Sequence, residues 1–259
     1  MITVRSETKK KQLVVFDLDG TLTISKSAMD EQTGGLLTEL LKRKKVAVIS
    51  GGTFAQFEKQ FLPYLKASPA ELANLYLFPT NSTAFHKYED GGWKLVYEEP
   101  LTDEQKKKVM DAFQKVFAEV QYQKPETLFG IDIEDRRTQV SFSPLGQQAP
   151  VEKKEEWKAK NDPLRLRMRD LLSTYLPDFE VRAGGITTID ITRKGIDKAY
   201  GIRQIGAHLA MDVNDMLFVG DALYPGGNDS PVKTTGVMWI EVEGPEETKK
   251  VVSLLLQND

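Results

Sequence analysis

Three strand-like runs that stop abruptly in small or acidic residues constrain this chain more than anything else in it. Leu13 to Phe16 leads into Asp17-Leu18-Asp19-Gly20-Thr21, Lys44 to Ile49 into Ser50-Gly51-Gly52, and Met216 to Val219 into Gly220-Asp221. Apolar runs without polar alternation suit strands buried on both faces, the condition of a parallel sheet covered by helices. In an open sheet of that kind the carboxyl ends of the strands face one crevice, so the three endings converge although they lie far apart in sequence.

The intervening segments agree. Helical spacing is read over Met29 to Lys42, Thr53 to Leu65, Asp197 to Leu209 and Glu246 to Leu256, with further strands at Leu75 to Pro79 and Gly236 to Ile240. Strand and helix alternate, as in a doubly wound, Rossmann-like α/β core. The middle of the chain departs from this. His86 to Tyr97 carries a polar turn, Asp90-Gly91-Gly92, between aromatic and branched residues, and reads as a hairpin. Helices are expected over Asp103 to Val120 and Pro163 to Tyr175, and half-exposed strands over Ile131 to Glu134, Gln139 to Ser143, Phe179 to Arg182 and Thr187 to Thr192. The expected organisation is a core built from residues 1–83 and 187–259, interrupted by an inserted α+β domain over residues 84–186.

Bulk properties exclude several functions. The formal net charge of −3 gives no general attraction to nucleic acid or an anionic membrane, and the lysine blocks at 9–11, 42–45 and 106–108 read as solvated surface. Zero cysteines rule out a disulfide framework, a thiolate metal site and a cysteine nucleophile. Met1 to Gln12 is polar, and no apolar stretch approaches membrane-spanning length. A cytoplasmic location is the default expectation. His86 and His208 carry no pairing pattern and read as structural, and Trp93, Trp157 and Trp239 as packing residues.

Chemistry assigns roles to the converging segments. Residues two apart on a strand share a face, so Asp17 and Asp19 point into the same space, and Gly20 lets the chain turn so that Thr21 presents its hydroxyl and amide. Asp221 and Asp229 add carboxylates on a glycine-rich loop. Oxygen ligands without Cys or His favour Mg²⁺. Asp17, directly off the strand, is the candidate nucleophile and Asp19 the general acid/base. Ser50 with the Gly51 and Gly52 amides is placed to hold phosphoryl oxygens. The charge that balances the transition state falls to Lys198, with Lys194 as the competing choice.

These segments and their order resemble the haloacid dehalogenase (HAD) superfamily over nearly the whole chain. Asp17 to Leu22 matches its first motif, Ser50 its second, Lys198 its third, and Gly220-Asp221 with Asn228-Asp229 its fourth. The resemblance implies Asp17 as nucleophile, Asp19 as acid/base, and Mg²⁺ held by Asp17, a backbone carbonyl of Asp19, Asp221 and Asp229. A cap domain between the second and third motifs is similar to that of the sugar-phosphate branch (subclass IIB). The stretch Gly220 to Asp229, with Arg136, Ser143 to Gly146 and Gly184 to Asp190, is similar to segments of eukaryotic-type phosphomannomutases. By that match Arg136, Thr188 and Asp190 contact a small phosphorylated sugar, the cap closes over the core, and a homodimer through the cap is among the expectations.

Three departures from the mutase pattern bear on function. Gln147, Lys154 and Lys26 stand where that family carries arginines. Bidentate arginine suits a distal phosphate better than lysine or a neutral amide. The expected activity is therefore a Mg²⁺-dependent phosphatase working through phospho-Asp17 on a small phosphorylated metabolite. A sugar phosphomutase is the alternative, and a catalytically idle phosphosugar-binding protein a more remote one.

Overall fold

A computed structural model describes residues 6–24 and 27–257. Its strands are, in chain order, β1 (Leu13–Asp17), β2 (Lys45–Ile49), β3 (Leu75–Phe78), β4 (Ala84–Glu89), β5 (Gly92–Glu98), β6 (Ile133–Asp135), β7 (Val140–Phe142), β8 (Phe179–Gly184), β9 (Thr188–Arg193), β10 (Met216–Gly220) and β11 (Met238–Glu241). The main helices are α1 (Glu31–Leu41), α2 (Phe54–Gln60), α3 (Asp103–Glu119), α4 (Val151–Tyr175), α5 (Lys198–Leu209) and α6 (Pro245–Leu256). The chain forms two compact units, one from residues 1–98 with 197–259 and the other from residues 99–196. No described helix is long and apolar enough to cross a membrane.

The first unit is an α/β layer structure. Its sheet has the order β11-β10-β1-β2-β3-β4-β5, with β11, β10, β1, β2 and β3 mutually parallel. Side chains alternate between faces along each strand. Val14, Phe16, Val46, Val48, Leu217 and Val219 pack with Leu37 and Leu40 of α1 and Val251 and Leu255 of α6. Leu13, Val15, Ala47, Ile49, Met216 and Phe218 pack on the other side with Ile202 and Ile205 of α5. Both faces are thus covered, which is why these strands read as unbroken apolar runs.

The hairpin expected to open the middle domain belongs instead to this sheet. β4 pairs antiparallel with β3, and β5 with β4, so the chain passes between units at Glu98/Glu99 and Ile196/Asp197 rather than near residues 83 and 187. The reason lies in Phe85, which packs among Phe78, Tyr76 and Tyr97 on the sheet face shared with α5. A hairpin motif specifies its own turn but not which sheet edge it extends.

The second unit is an antiparallel sheet, β6-β7-β9-β8, with α3 and α4 on one face. Val140, Phe142, Val181, Ile189 and Ile191 meet Val109, Phe113 and Val116 of α3 and Met168 and Leu172 of α4. The intervening residues form a polar row across the opposite face, Glu134, Ser141, Asp190 and Arg182, each in register with the next. Helix α4 begins at Val151 and carries Pro163 inside it, twelve residues earlier than the expected start at that proline. Proline is easiest to accommodate in a first turn, yet helical packing of Lys154, Arg165, Met168 and Leu172 continues through it. Helix α2 is shorter than expected, a turn of 3₁₀-helix replacing its last residues over Leu62–Tyr64.

Candidate active site

Asp17 is the last residue of β1 and is buried, as are Asp229 and Lys198. One carboxylate oxygen from each of Asp17, Asp221 and Asp229 lies within 4.8 Å of the others. The Lys198 ammonium, 2% exposed, donates to Asp17 Oδ1, lies 3.3 Å from Asp229 Oδ1, and reaches the Ile49 carbonyl at 3.5 Å. Parallel pairing of β1 with β2 and β10 is what brings these chain-distant residues together.

Local structure aims each group. After Asp17 the chain closes a tight loop, with the Gly20 amide on the Thr23 carbonyl at 2.8 Å and the Leu22 and Thr23 amides on Leu18 O. Gly20 has φ of +99°, and a Cβ there would sit 2.5 Å from Asp221 Oδ2, so both conformation and space demand glycine. Thr21 donates its hydroxyl to Asp221 Oδ1 at 2.8 Å, and Thr248 of α6 donates to the Thr21 carbonyl at 2.7 Å. The Asp221–Asp229 loop is closed by Asp229 N–H on Ala222 O and by Ala222 N–H on Asp229 Oδ2. Asp197 caps α5 by accepting the Tyr200 amide at 2.7 Å, which seats Lys198 in the first turn facing inward. Lys194, the competing choice, lies in the other unit on the Pro177 carbonyl and is exposed.

Electrostatics suit the site to a cation. Burial pushes the Asp17 carboxyl well above its usual range; Lys198 pulls against this, while Asp229 and Asp221 add to it. Burial raises Asp221 as well. Burial alone would lower the Lys198 ammonium, but the Asp17 and Asp229 carboxylates outweigh it and hold the group protonated. One ammonium does not balance three gathered carboxylates, and Asp229 Oδ1 is buried with the Lys198 ammonium 3.3 Å away but poorly aligned for a hydrogen bond. The donor set is oxygen only, so these residues fit a hard divalent cation. Asp19, half-buried in the loop after β1, is outside this carboxylate trio.

At the end of β2, Ser50 is buried and its Oγ accepts the Gly52 amide at 2.9 Å, making a compact turn beside the Asp17 strand end. The segment Pro79–Ser82, which follows β3, is hydrogen-bonded to both ends of this turn. Sequence reading passed over it; a proline and an asparagine directly after an apolar strand were its signal.

In the second unit Arg136 donates to Glu134 Oε2 at 2.6 Å and to Gln147 Oε1 at 3.0 Å. Gln147 donates in turn to the Ser141 carbonyl, and buried Lys154 donates to the Gln147 carbonyl at 3.3 Å. Asp190 accepts the Ser141 hydroxyl at 2.6 Å, and Thr188 donates to the Gly184 carbonyl. Thus Arg136, Asp190 and two of the departures from arginine share one polar cluster; the third, Lys26, lies outside the described residues.

Comparison with known proteins fits this arrangement. The family profile of eukaryotic phosphomannomutase matches residues 34–258. A phosphomannomutase of Encephalitozoon cuniculi is 28% identical, covering 96% of this chain and 94% of its own. A probable phosphomannomutase of Caenorhabditis elegans is 24% identical, covering 97% and 98%. Among solved structures, an N-terminally truncated IMP-nucleotidase of Plasmodium falciparum superposes with a TM-score of 0.70 at 18% identity, over 97% of this chain and 69% of that one. A trehalose-6-phosphate phosphatase of Aspergillus fumigatus gives 0.55 at 17% identity, over 98% of each chain. At such identities the phosphatases share the fold alone. The expectation of a phosphatase is therefore corrected: these sequence relatives are phosphomannomutases, and Gln147 and Lys154 are hydrogen-bonded into the polar cluster around Arg136. The chain is an enzyme of the HAD superfamily, and within it belongs to the eukaryotic phosphomannomutase family.

Proposed function

We infer that the protein is a Mg²⁺-dependent phosphomannomutase, interconverting the 1- and 6-phosphates of a hexose. The observation that carries this reading is the family match across residues 34–258 in a chain that keeps Asp17, Lys198, Asp221 and Asp229 gathered at one strand end.

Asp17 is assigned as the nucleophile. Its carboxylate attacks phosphorus, the bond from phosphorus to the sugar oxygen breaks, and an aspartyl phosphate forms. Asp19 protonates the departing sugar oxygen and takes a proton from the hydroxyl that attacks in the return transfer. Lys198 offsets charge on the phosphoryl oxygens, and the Ser50 hydroxyl with the Gly51 amide binds them, as does Thr21. Asp17, Asp221 and Asp229, with the Asp19 carbonyl, would hold Mg²⁺, which when bound would supply further charge neutralisation at the transferring group. Arg136, Thr188 and Asp190 are assigned to recognition of the sugar phosphate. Phospho-Asp17, formed from a bisphosphorylated sugar, gives its phosphoryl group to the free hydroxyl of a hexose monophosphate, which leaves Asp17 free beside a bisphosphorylated sugar. Mutase outcome requires that this sugar be retained until its other phosphate is attacked, and that water reach phospho-Asp17 less often than the sugar hydroxyl does.

The test follows the phosphorus of a hexose 1-phosphate by ³¹P NMR with Mg²⁺ and a hexose bisphosphate activator. Conversion to the 6-phosphate with little release of inorganic phosphate is expected. Stoichiometric phosphate release without isomerisation would overturn the reading.

A further inference from the structure

Thr80, Asn81 and Ser82 hold left-handed backbone in succession, with φ of 49°, 56° and 67°. That region is unfavourable for residues bearing a Cβ, asparagine least among them, and a run of it persists only where the surroundings hold it. Three neighbours do so here. The Thr80 amide donates to the Gly52 carbonyl and the Asn81 amide to the Ser50 carbonyl, both at 2.8 Å, so the strained turn grips both ends of Ser50-Gly51-Gly52. It also abuts α5: a Cβ on Gly201, three residues beyond Lys198, would lie 2.6 Å from Ser82 Oγ. Finally, Tyr97 of β5 donates its hydroxyl to the Ser82 carbonyl at 2.8 Å while its ring stacks on His208 of α5 at 4.6 Å. Tyr97 touches the turn and the helix at once.

We propose that Tyr97, acting through the left-handed turn Thr80–Ser82, is a positioning residue that sets the phosphoryl-binding Ser50–Gly52 turn, through its Ser50 hydroxyl and Gly51 amide, against Lys198. It touches no reacting atom. The assignment rests on the reading of that segment given under the proposed function.

Tyr97→Phe keeps the ring on His208 and removes only the hydroxyl. Calorimetric titration of the full-length protein with inorganic phosphate in Mg²⁺, well below the melting temperature, is expected to show about fivefold weaker binding, with a similar loss in kcat/KM for hexose 1-phosphate. Adding Ser82→Gly is expected to recover the affinity, because glycine takes positive φ without a Cβ penalty although it restores no hydrogen bond. A Tyr97→Phe protein with a lower melting temperature but unchanged phosphate affinity and kinetics would overturn the proposal, as would a loss that Ser82→Gly leaves untouched. Wild-type protein that neither binds phosphate nor turns over a sugar phosphate would sink the functional reading and the positioning role together. Active wild-type protein beside an indistinguishable Tyr97→Phe would sink the positioning role alone.

Discussion

Lys198 sits at 2% exposure between two carboxylates, and the charge balance of the site turns on it. Lys198→Ala is expected to lower kcat by about 10²–10³, comparable to deleting one donor to a developing oxyanion, with steady-state rates on the hexose phosphate as the readout. A variant within a factor of two of wild type would show that Asp17 is balanced by something else. At this scale much was legible in the chain itself. Asp17 and Asp221 are legible from strand-end chemistry and meet because a parallel sheet aligns those ends, whereas Asp229 is legible only from its spacing on the glycine-rich loop and from the family resemblance. The sequence favours Lys198 over Lys194 because it opens a core helix, and the capped first turn of α5 turns it inward while Lys194 stays in the second unit.

Among the elements, the β4–β5 hairpin departs most from expectation and contributes an acid-sensitive contact. His86 of β4 stacks on Phe54 of α2 at 4.0 Å, its Nδ1 is buried without a partner, and burial lowers its pKa to about 4. The unfolded chain binds this proton near the ordinary histidine value of about 6.5. Stability from the neutral ring is therefore complete above about pH 6.5 and is lost as pH falls toward 4, because only the unfolded state gains the proton in that window. His86→Phe keeps the stack and is expected to flatten that part of the profile, read as urea midpoints at pH 7 and 4.5. An unchanged acid slope would place its origin elsewhere. The hairpin's sheet was not readable because strand pattern does not name a partner edge. Nor was the left-handed turn after β3, since Pro-Thr-Asn-Ser signals a turn without stating the sign of φ.

On the scale of the whole molecule, each unit has a core of its own. Residues 99–196 bury Phe113, Val116, Phe142, Met168, Leu172 and Ile189 among themselves. Expressed alone, this segment is expected to fold cooperatively, as judged by dispersed NMR spectra and a single thermal transition. Phe142→Ala should then cost about 3–5 kcal/mol. A segment that stays unfolded in isolation would show that its core is insufficient. The α/β layering was legible because apolar runs, helical spacing and strand-end chemistry agreed. The unit boundaries were not, because the hairpin carries no mark of which core it joins.

In the sheet order, β1 lies between β2, made early, and β10, which begins at Met216, 171 residues after β2 begins at Lys45. A ribosome that has delivered the first half of the chain therefore holds a central strand with one flank still bare. The inserted unit has every contact of its core available once Ile196 is made, whereas the acidic trio waits for Asp229. Ligand-competent protein thus emerges only after both halves of the parallel sheet are made, and products cut short before β10 expose an unpaired strand flank suited to self-association.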